Sequence, residues 1–332
     1  MASIELLPTQ IDCIEQGLAI LQKHGWVYYA MQERTGKTLT ALVSAFKFNP
    51  TASIVIYTKK RALQGWQEWI SHDEFKDKDI TLINYEANYT HKKSYDIAIL
   101  DESHNYISSY PKPSVTLKKI FPIVMNCHII YCSATPCAES YSKLFYQLFL
   151  CRYSPFSYGK FKSFYQWHRL YGIHFQRHIN GLLMNDYSKT QDDKVLKAIE
   201  PYFVRAKRNF TYEPRDILIE CEYTAEQKKL IKLILKGGLE NYVSGGVSYN
   251  KVVDTKLKEM LAIWQIEGGT LICDEGILSI PTNKVKAITS KDAVTFCYFK
   301  AEAERLKGIA NVYHYTKHSE EIGRASCRER VS

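Results

Sequence analysis

Five short apolar runs recur in the first 135 residues, each ending in polar or small residues. They are GWVYYAM (25–31), SIVIYT (53–58), ITLINY (80–85), YDIAILDE (95–102) and CHIIYCSAT (127–135). Segments of helical period lie around them. Residues 9–24 place Ile11, Ile14, Leu18 and Leu21 at helical spacing, and KTLTALVSAFKF (37–48) and ALQGWQEWI (62–70) read as helices. Strands that alternate with helices specify an α/β fold, a parallel sheet flanked by helices on both faces. Chemistry in such sheets gathers at the carboxyl ends of the strands. Further along, RDILIECEYT (215–224) reads as a strand, 225–236 and 251–266 as helices separated by SGGVSYN, and AVTFCYF (293–299) as a last strand before the helix AEAERLK. The sequence has no internal repeat.

Composition narrows the class. The chain has 332 residues, room for two domains, with 45% apolar and 24% charged residues, the balance of a globular protein. Uninterrupted apolar runs stay far short of the roughly 18 residues a membrane span needs. The start, MASIELLPTQ, has no charged and apolar leader pattern, so a cytoplasmic location is expected. Nine cysteines in such a chain are expected as buried thiols. Cys127, Cys132 and Cys137 are evenly spaced but do not form the paired C-x-x-C of a zinc knuckle. The net charge of +9 suggests a polyanionic partner.

Two segments stand apart. Between Glu139 and Asp186 no acidic residue occurs, while Lys143, Arg152, Lys160, Lys162, Arg169 and Arg177 alternate with Tyr153, Phe156, Tyr158, Phe161, Phe164, Tyr165, Trp167, Tyr171 and Phe175. Bases and rings interleaved in this way could form a strand-binding groove. Packing of most rings into an insertion is the favoured reading, because so many aromatics exceed what one groove exposes. The end, EEIGRASCRERVS, has no apolar period, and from Glu321 it resembles a translated sequencing adapter. Residues 321–332 are therefore set aside, and the natural chain is expected to continue past residue 320.

Three motifs come directly after three of the apolar runs. The loop MQERTGKT (31–38) ends in Gly36-Lys37-Thr38 before a helix. A phosphate loop needs inward backbone N–H groups, a helix N-terminus, a lysine for the β and γ phosphates and a hydroxyl for Mg²⁺. The first glycine of that pattern is replaced here by Met31, and Glu33 and Arg34 stand within the loop. The carboxylates Asp101 and Glu102 end the fourth run, where one can hold Mg²⁺ and its neighbour can orient a water. A helix N-cap is the plainer explanation for such a pair. Ser133-Ala134-Thr135 ends the fifth run, where hydroxyls can sense a γ-phosphate or simply form a polar turn before Pro136.

RTGKT, DESH and SAT together resemble motifs I, II and III of the superfamily 2 helicases, in their DExH branch. IVIYTKKRALQGWQEWI (54–70) resembles motif Ia of the Swi/Snf-type translocases and their phage relatives. LINYE resembles the motif after it, LLPTQ the adenine-contacting segment ending in Gln10, and AVTFCYFKAEAERLK motif IV. The likeness covers roughly residues 4–310 and is strongest over 26–136.

The resemblance implies an ATP- and Mg²⁺-dependent motor with RecA-like domains, acting on nucleic acid, with double-stranded DNA favoured over RNA. It implies that Gln10, Arg34, Thr35, Gly36, Lys37 and Thr38 bind the nucleotide, and that Thr38 and Asp101 hold Mg²⁺. Glu102 would polarise the attacking water, with Lys37 and Asp101 beside it in catalysis. Ser133 and Thr135 would couple nucleotide state to grip, and Thr58, Lys59 and Lys60 would touch the phosphate backbone.

The implied domains are 1–222, RecA-like with an aromatic and basic insertion at about 138–212, a helical connector at 223–283, and the start of a second RecA-like domain at 284–320. Later motifs with an arginine finger lie beyond this segment, so little hydrolysis is expected from it alone. A nucleic-acid-binding module with a dead ATPase is the alternative from another class. A small-molecule phosphotransferase would explain Gly-Lys-Thr but neither DESH nor SAT.

Overall fold

All five apolar runs form strands of one parallel sheet. In the computed structural model, which describes residues 4–87, 94–137, 139–179, 182–207, 218–287 and 297–307, the chain divides into two compact units, 1–212 and 213–332. The first begins with α1 (Pro8–His24), β1 (Trp26–Met31), α2 (Lys37–Phe48), β2 (Ile54–Thr58), α3 (Leu63–Ile70), β3 (Ile80–Asn84), β4 (Ile97–Asp101), α4 (Val115–Val124) and β5 (His128–Cys132). It continues through α5 (Leu144–Phe149), α6 (Phe164–Tyr171), the hairpin β6 (Phe175–Ile179) with β7 (Leu182–Asp186), α7 (Asp192–Ile199) and β8 (Phe203–Ala206). The six sheet strands lie in the order β3-β2-β4-β5-β1-β8, all parallel.

Because side chains alternate along a strand, the sheet builds two cores. Trp26, Tyr28, Val55, Tyr57, Ala98, Leu100, Ile129 and Tyr131 face one side, under residues of α4, α5, α6 and α7. Val27, Tyr29, Met31, Ile54, Ile56, Ile97, Ile99 and Ile130 face the other, under α1, α2 and α3. The acid-free stretch supplies the first side. Phe156, Phe161, Phe164 and Trp167 are buried there, Tyr153, Tyr158, Tyr171 and Phe175 are half-buried, and Tyr165 is exposed. Packing is thus the fate of most of these rings.

The sixth strand departs from expectation. It is β8, whose Phe203, Val204 and Ala206 are buried while Arg205 is exposed at the sheet edge. Over 215–224 the described residues 218–224 form no strand, and Leu218 and Ile219 are exposed. An apolar run makes a strand only where a neighbour offers a ladder, and β8 already takes the free edge of β1.

The second unit contains α8 (Ala225–Ile234), the pair β9 (Gly238–Ser244) and β10 (Val247–Val252), α9 (Lys256–Glu267), the pair β11 (Thr270–Cys273) and β12 (Gly276–Ser279), and α10 (Lys300–Arg305). Leu230, Ile234, Leu239, Ala262, Ile266, Leu271 and Leu278 form its core. Thr224 caps α8 in a reciprocal box with Gln227. SGGVSYN is no mere spacer between helices. Gly245 and Gly246 both take positive φ, 58° and 79°, which a two-residue hairpin turn demands. Residues 251 and 252 accordingly extend β10, and the helix expected from 251 begins at Lys256. Most of the strand expected at 293–299, and all of 321–332, lie outside the described residues. No described helix is long and apolar enough to cross a membrane.

Glycines at two helix positions give opposite expectations. A Cβ at Gly17 would stand 2.0 Å from the Tyr29 hydroxyl, which shares a 2.6 Å hydrogen bond with Ser44. At Gly65 a Cβ would meet nothing within 4 Å. Gly65→Ala should stabilise by about 0.5–1 kcal/mol, and Gly17→Ala should destabilise by about 1–3 kcal/mol through overpacking. Urea unfolding of both variants checks the two signs.

Candidate active site

Strand register delivers the three motifs to one edge. Asp101 pairs with Cys132 across β4 and β5, and Cys132 with Tyr29 across β5 and β1. Tyr57 pairs with Leu100, so Thr58 ends β2 beside Asp101. The loops at the carboxyl ends of these strands therefore leave the sheet on the same side.

Between β1 and α2 the loop turns through two left-handed residues, Arg34 at φ 60° and Gly36 at φ 81°. A side chain at Gly36 would collide with Gln10, its Cβ 2.2 Å from Nε2. Instead Gln10 Nε2 donates to the Gly36 carbonyl at 3.3 Å, and its Oε1 accepts from Leu7 N at 2.8 Å. Buried Gln10 is thus engaged with the loop and the start of α1. The Thr35 hydroxyl donates to Gln32 O at 2.7 Å and closes the loop. Lys37 Nζ donates to the carbonyls of Met31 and Gln32, each at 3.2 Å. Thr38 is half-buried in the first turn of α2, a helix that starts with no side-chain cap, and Arg34 is exposed.

Asp101 is 8% exposed and held by two donors on one oxygen. Its Oδ2 accepts from Thr58 Oγ1 at 2.7 Å and from Trp66 Nε1 at 3.0 Å. Thr58 is therefore not at the phosphate-contacting surface that the motif resemblance implied. Its side chain is fully buried and bonded to Asp101 rather than offered to a backbone phosphate, because β2 ends inside the sheet between β3 and β4. Lys59 and Lys60, the next two residues, are exposed.

Glu102 turns out of the strand at φ 49° and meets the SAT segment. Ser133 Oγ lies 3.1 Å from Glu102 Oε2, 2.8 Å from His104 Nδ1 and 3.0 Å from Thr135 N. Thr135 Oγ1 is 3.4 Å from His104 Nε2. A serine hydroxyl has one proton. If it goes to Glu102, His104 Nδ1–H and Thr135 N–H donate to Ser133, and His104 Nε2 accepts from Thr135. A neutral imidazole satisfies this pattern, and burial, Lys143 and Lys59 all push the His104 pKa down. Burial and the adjacent Asp101 charge raise the Glu102 pKa, against the pull of Lys37, the Ser133 bond and Lys59. The charges of Lys37 and Lys59 thus reach Glu102.

Three side chains of this assembly carry no motif signal that assigns them a role: Trp66, His104 and Gln147. Fully buried Gln147 of α5 spends its whole amide. Its Oε1 accepts from Ser103 Oγ at 2.8 Å and Tyr28 OH at 3.1 Å, and its Nε2 donates to the carbonyls of Pro136 at 3.0 Å and Lys143 at 3.1 Å. One residue so links the DESH segment, the SAT segment and β1. Its only sequence signal is a lone amide in the apolar run LFYQLF. Among the described residues no group of histidines, cysteines and carboxylates forms a metal cluster.

No family model matches the chain, and no curated protein matches it. Among solved structures it is similar to a Sulfolobus solfataricus SWI2/SNF2 ATPase core in complex with dsDNA, at 18% identity and TM-score 0.46, covering 80% of this chain and 59% of that one. It is also similar to the SWI2/SNF2 ATPase core domain of the same organism, at 15% identity and TM-score 0.45, covering 80% and 57%. The chain thus spans less than two thirds of the length of these structures.

Gln147→Leu should cost about 3 kcal/mol in urea unfolding, since it strands buried hydroxyls and a carbonyl. His104 gives a pH signature. Unfolded, it titrates near ~6.5, and folded its pKa lies lower. The unfolded chain binds the extra proton, so this stability is whole above about pH 6.5 and is lost as pH falls. Between about pH 7 and pH 5 the wild type should lose more stability than His104→Gln, as thermal melting across that range will read.

Proposed function

We propose that this chain carries the ATP-binding domain of a motor that couples Mg²⁺-ATP hydrolysis to movement along double-stranded DNA. The observation that carries the reading is the meeting of Asp101, Glu102, Ser133 and Thr135 at the ends of adjacent central strands, with Lys37 at the start of the helix that follows β1 and its charge opposing the rise that burial and Asp101 impose on the Glu102 pKa.

The donor set fits a metal-bound triphosphate. The loop ends at a left-handed Gly36, and among the described residues no side chain caps α2, so its first N–H groups are available to phosphate oxygens. Lys37 carries a full charge on two neutral carbonyls, which a phosphate outcompetes. Asp101 Oδ1 accepts no hydrogen bond among the described residues and would hold the metal with Thr38. A Mg²⁺ held by these residues would supply positive charge against the negative charge that develops on the phosphate oxygens. Glu102, its proton affinity raised by burial, would orient the attacking water and accept its proton. Ser133 and Thr135 would report the state of Glu102 through His104. The exposed Lys59, Lys60 and Arg61 leave the sheet on the same edge and suit phosphates of a duplex.

Binding of a fluorescent ATP analogue in Mg²⁺ tests the reading. Lys37→Ala should weaken binding by at least about tenfold and leave the melting temperature nearly unchanged, since its Nζ contacts are made at the loop surface. A large fall in melting temperature with unchanged binding would make the loop structural. Titration of labelled duplex DNA, single-stranded DNA and RNA should give tightest binding to the duplex, weakened by salt; preference for RNA would reassign the substrate.

A further inference from the structure

The two donors to Asp101 Oδ2 come from a single short segment. Thr58 ends β2, the turn Lys60–Ala62 comes next, and Trp66 lies one turn into α3. The residues between them, Lys59, Lys60 and Arg61, are exposed and basic. We propose that Trp66 is a positioning residue for the metal-binding carboxylate, and that the segment 58–66 couples polyanion binding at Lys59–Arg61 to the metal affinity of Asp101. This rests on the assignment of the strand-edge site to a metal-bound nucleotide.

Burial alone does not account for the indole contact. Trp26 and Trp167 are as deeply buried as Trp66, yet their Nε1–H groups have no partner among the described residues. A core role would be met by the ring without the bond. The outer carboxylate torsion is intrinsically broad. Two donors on Oδ2 fix the carboxylate plane and leave Oδ1 for a cation. Groups that orient a metal ligand in this way typically change metal affinity by about 10–100-fold.

The route outward is short and stiff. Ala62 N donates to Lys59 O at 2.9 Å and closes the turn between strand and helix. Phosphates that draw the basic turn outward therefore move the axis of α3, and Trp66 with it. The carboxylate then turns or loses a donor. Metal and polyanion become linked ligands, each shifting the affinity of the other by the same factor.

The experiment measures the Mg²⁺ concentration at half-maximal binding of a fluorescent ADP, with and without saturating duplex DNA, and ADP binding in EDTA as reference. In the wild type, duplex DNA should shift the Mg²⁺ midpoint severalfold. Trp66→Phe should raise the DNA-free midpoint about tenfold, leave ADP binding in EDTA unchanged, retain DNA binding and abolish the shift. Thr58→Val should do the same through the other donor, and Thr58→Ser should restore wild-type values, which separates orientation of the carboxylate from loss of packing. A wild-type midpoint in both Trp66→Phe and Thr58→Val, or a DNA shift that persists in them, overturns this proposal alone. A wild type that binds no ADP even with Mg²⁺ overturns the nucleotide reading and this proposal together.

Discussion

A carboxylate at the end of a strand buried on both faces must be given hydrogen bonds by its neighbours. Asp101 is in that position, the last residue of β4, between β2 and β5. Its hydrogen bonds come from Thr58, brought level by the parallel ladder, and from Trp66, brought over by α3. The sheet order and the length of the β2–α3 connection are thus tied to one buried oxygen. Shifting the register of β2 would point Thr58 to the opposite face and strand the charge.

The same sheet explains why the basic, ring-rich stretch matters to the site. One face is closed by α1, α2 and α3, which carry the Gly-Lys-Thr loop and Trp66. The other is closed by rings of that stretch, which extend the core formed by Tyr28 and Tyr131. Through that second face Gln147 passes hydrogen bonds from α5 to Ser103 and to Pro136. Gln147 ties the DESH and SAT segments to each other from behind, while the loops meet in front through Ser133 and His104.

Much of this was legible in the sequence, for a physical reason. Strands buried on both faces must be apolar throughout, so the five runs marked themselves, and each chemical motif is attached to the end of one. Where burial is partial the signal fails. The edge strand β8 is four residues long with Arg205 in it. The stretch 215–224 is apolar but exposes Leu218 and Ile219. The pairs β9–β10 and β11–β12 alternate weakly and were hidden between helices. At the site, residue types announced Lys37, Asp101 and Glu102, but partnership did not. That Thr58 turns inward to Asp101, and that Gln10 closes on Gly36, are consequences of register and of a loop bent through two left-handed residues.

The groups of the site differ in how firmly the protein holds them, and the difference orders their roles. Asp101 is bound by two buried donors whose removal would leave a charge unpaired in the interior, so it stays where it is for as long as the segment 58–66 keeps its place. Lys37 rests on two neutral carbonyls, an arrangement an anion can replace at little cost. Glu102 lies between these extremes, backed by Ser133 alone among the hydroxyls of the described residues, with burial and Asp101 raising its proton affinity and Lys37 lowering it. A phosphate that drew Lys37 away from Glu102 would weaken that lowering and make the carboxylate a better proton acceptor. On the proposed reading, an aspartate held by two donors, an ammonium that an anion can draw off and a glutamate whose proton affinity that ammonium lowers would let phosphate binding prepare the base.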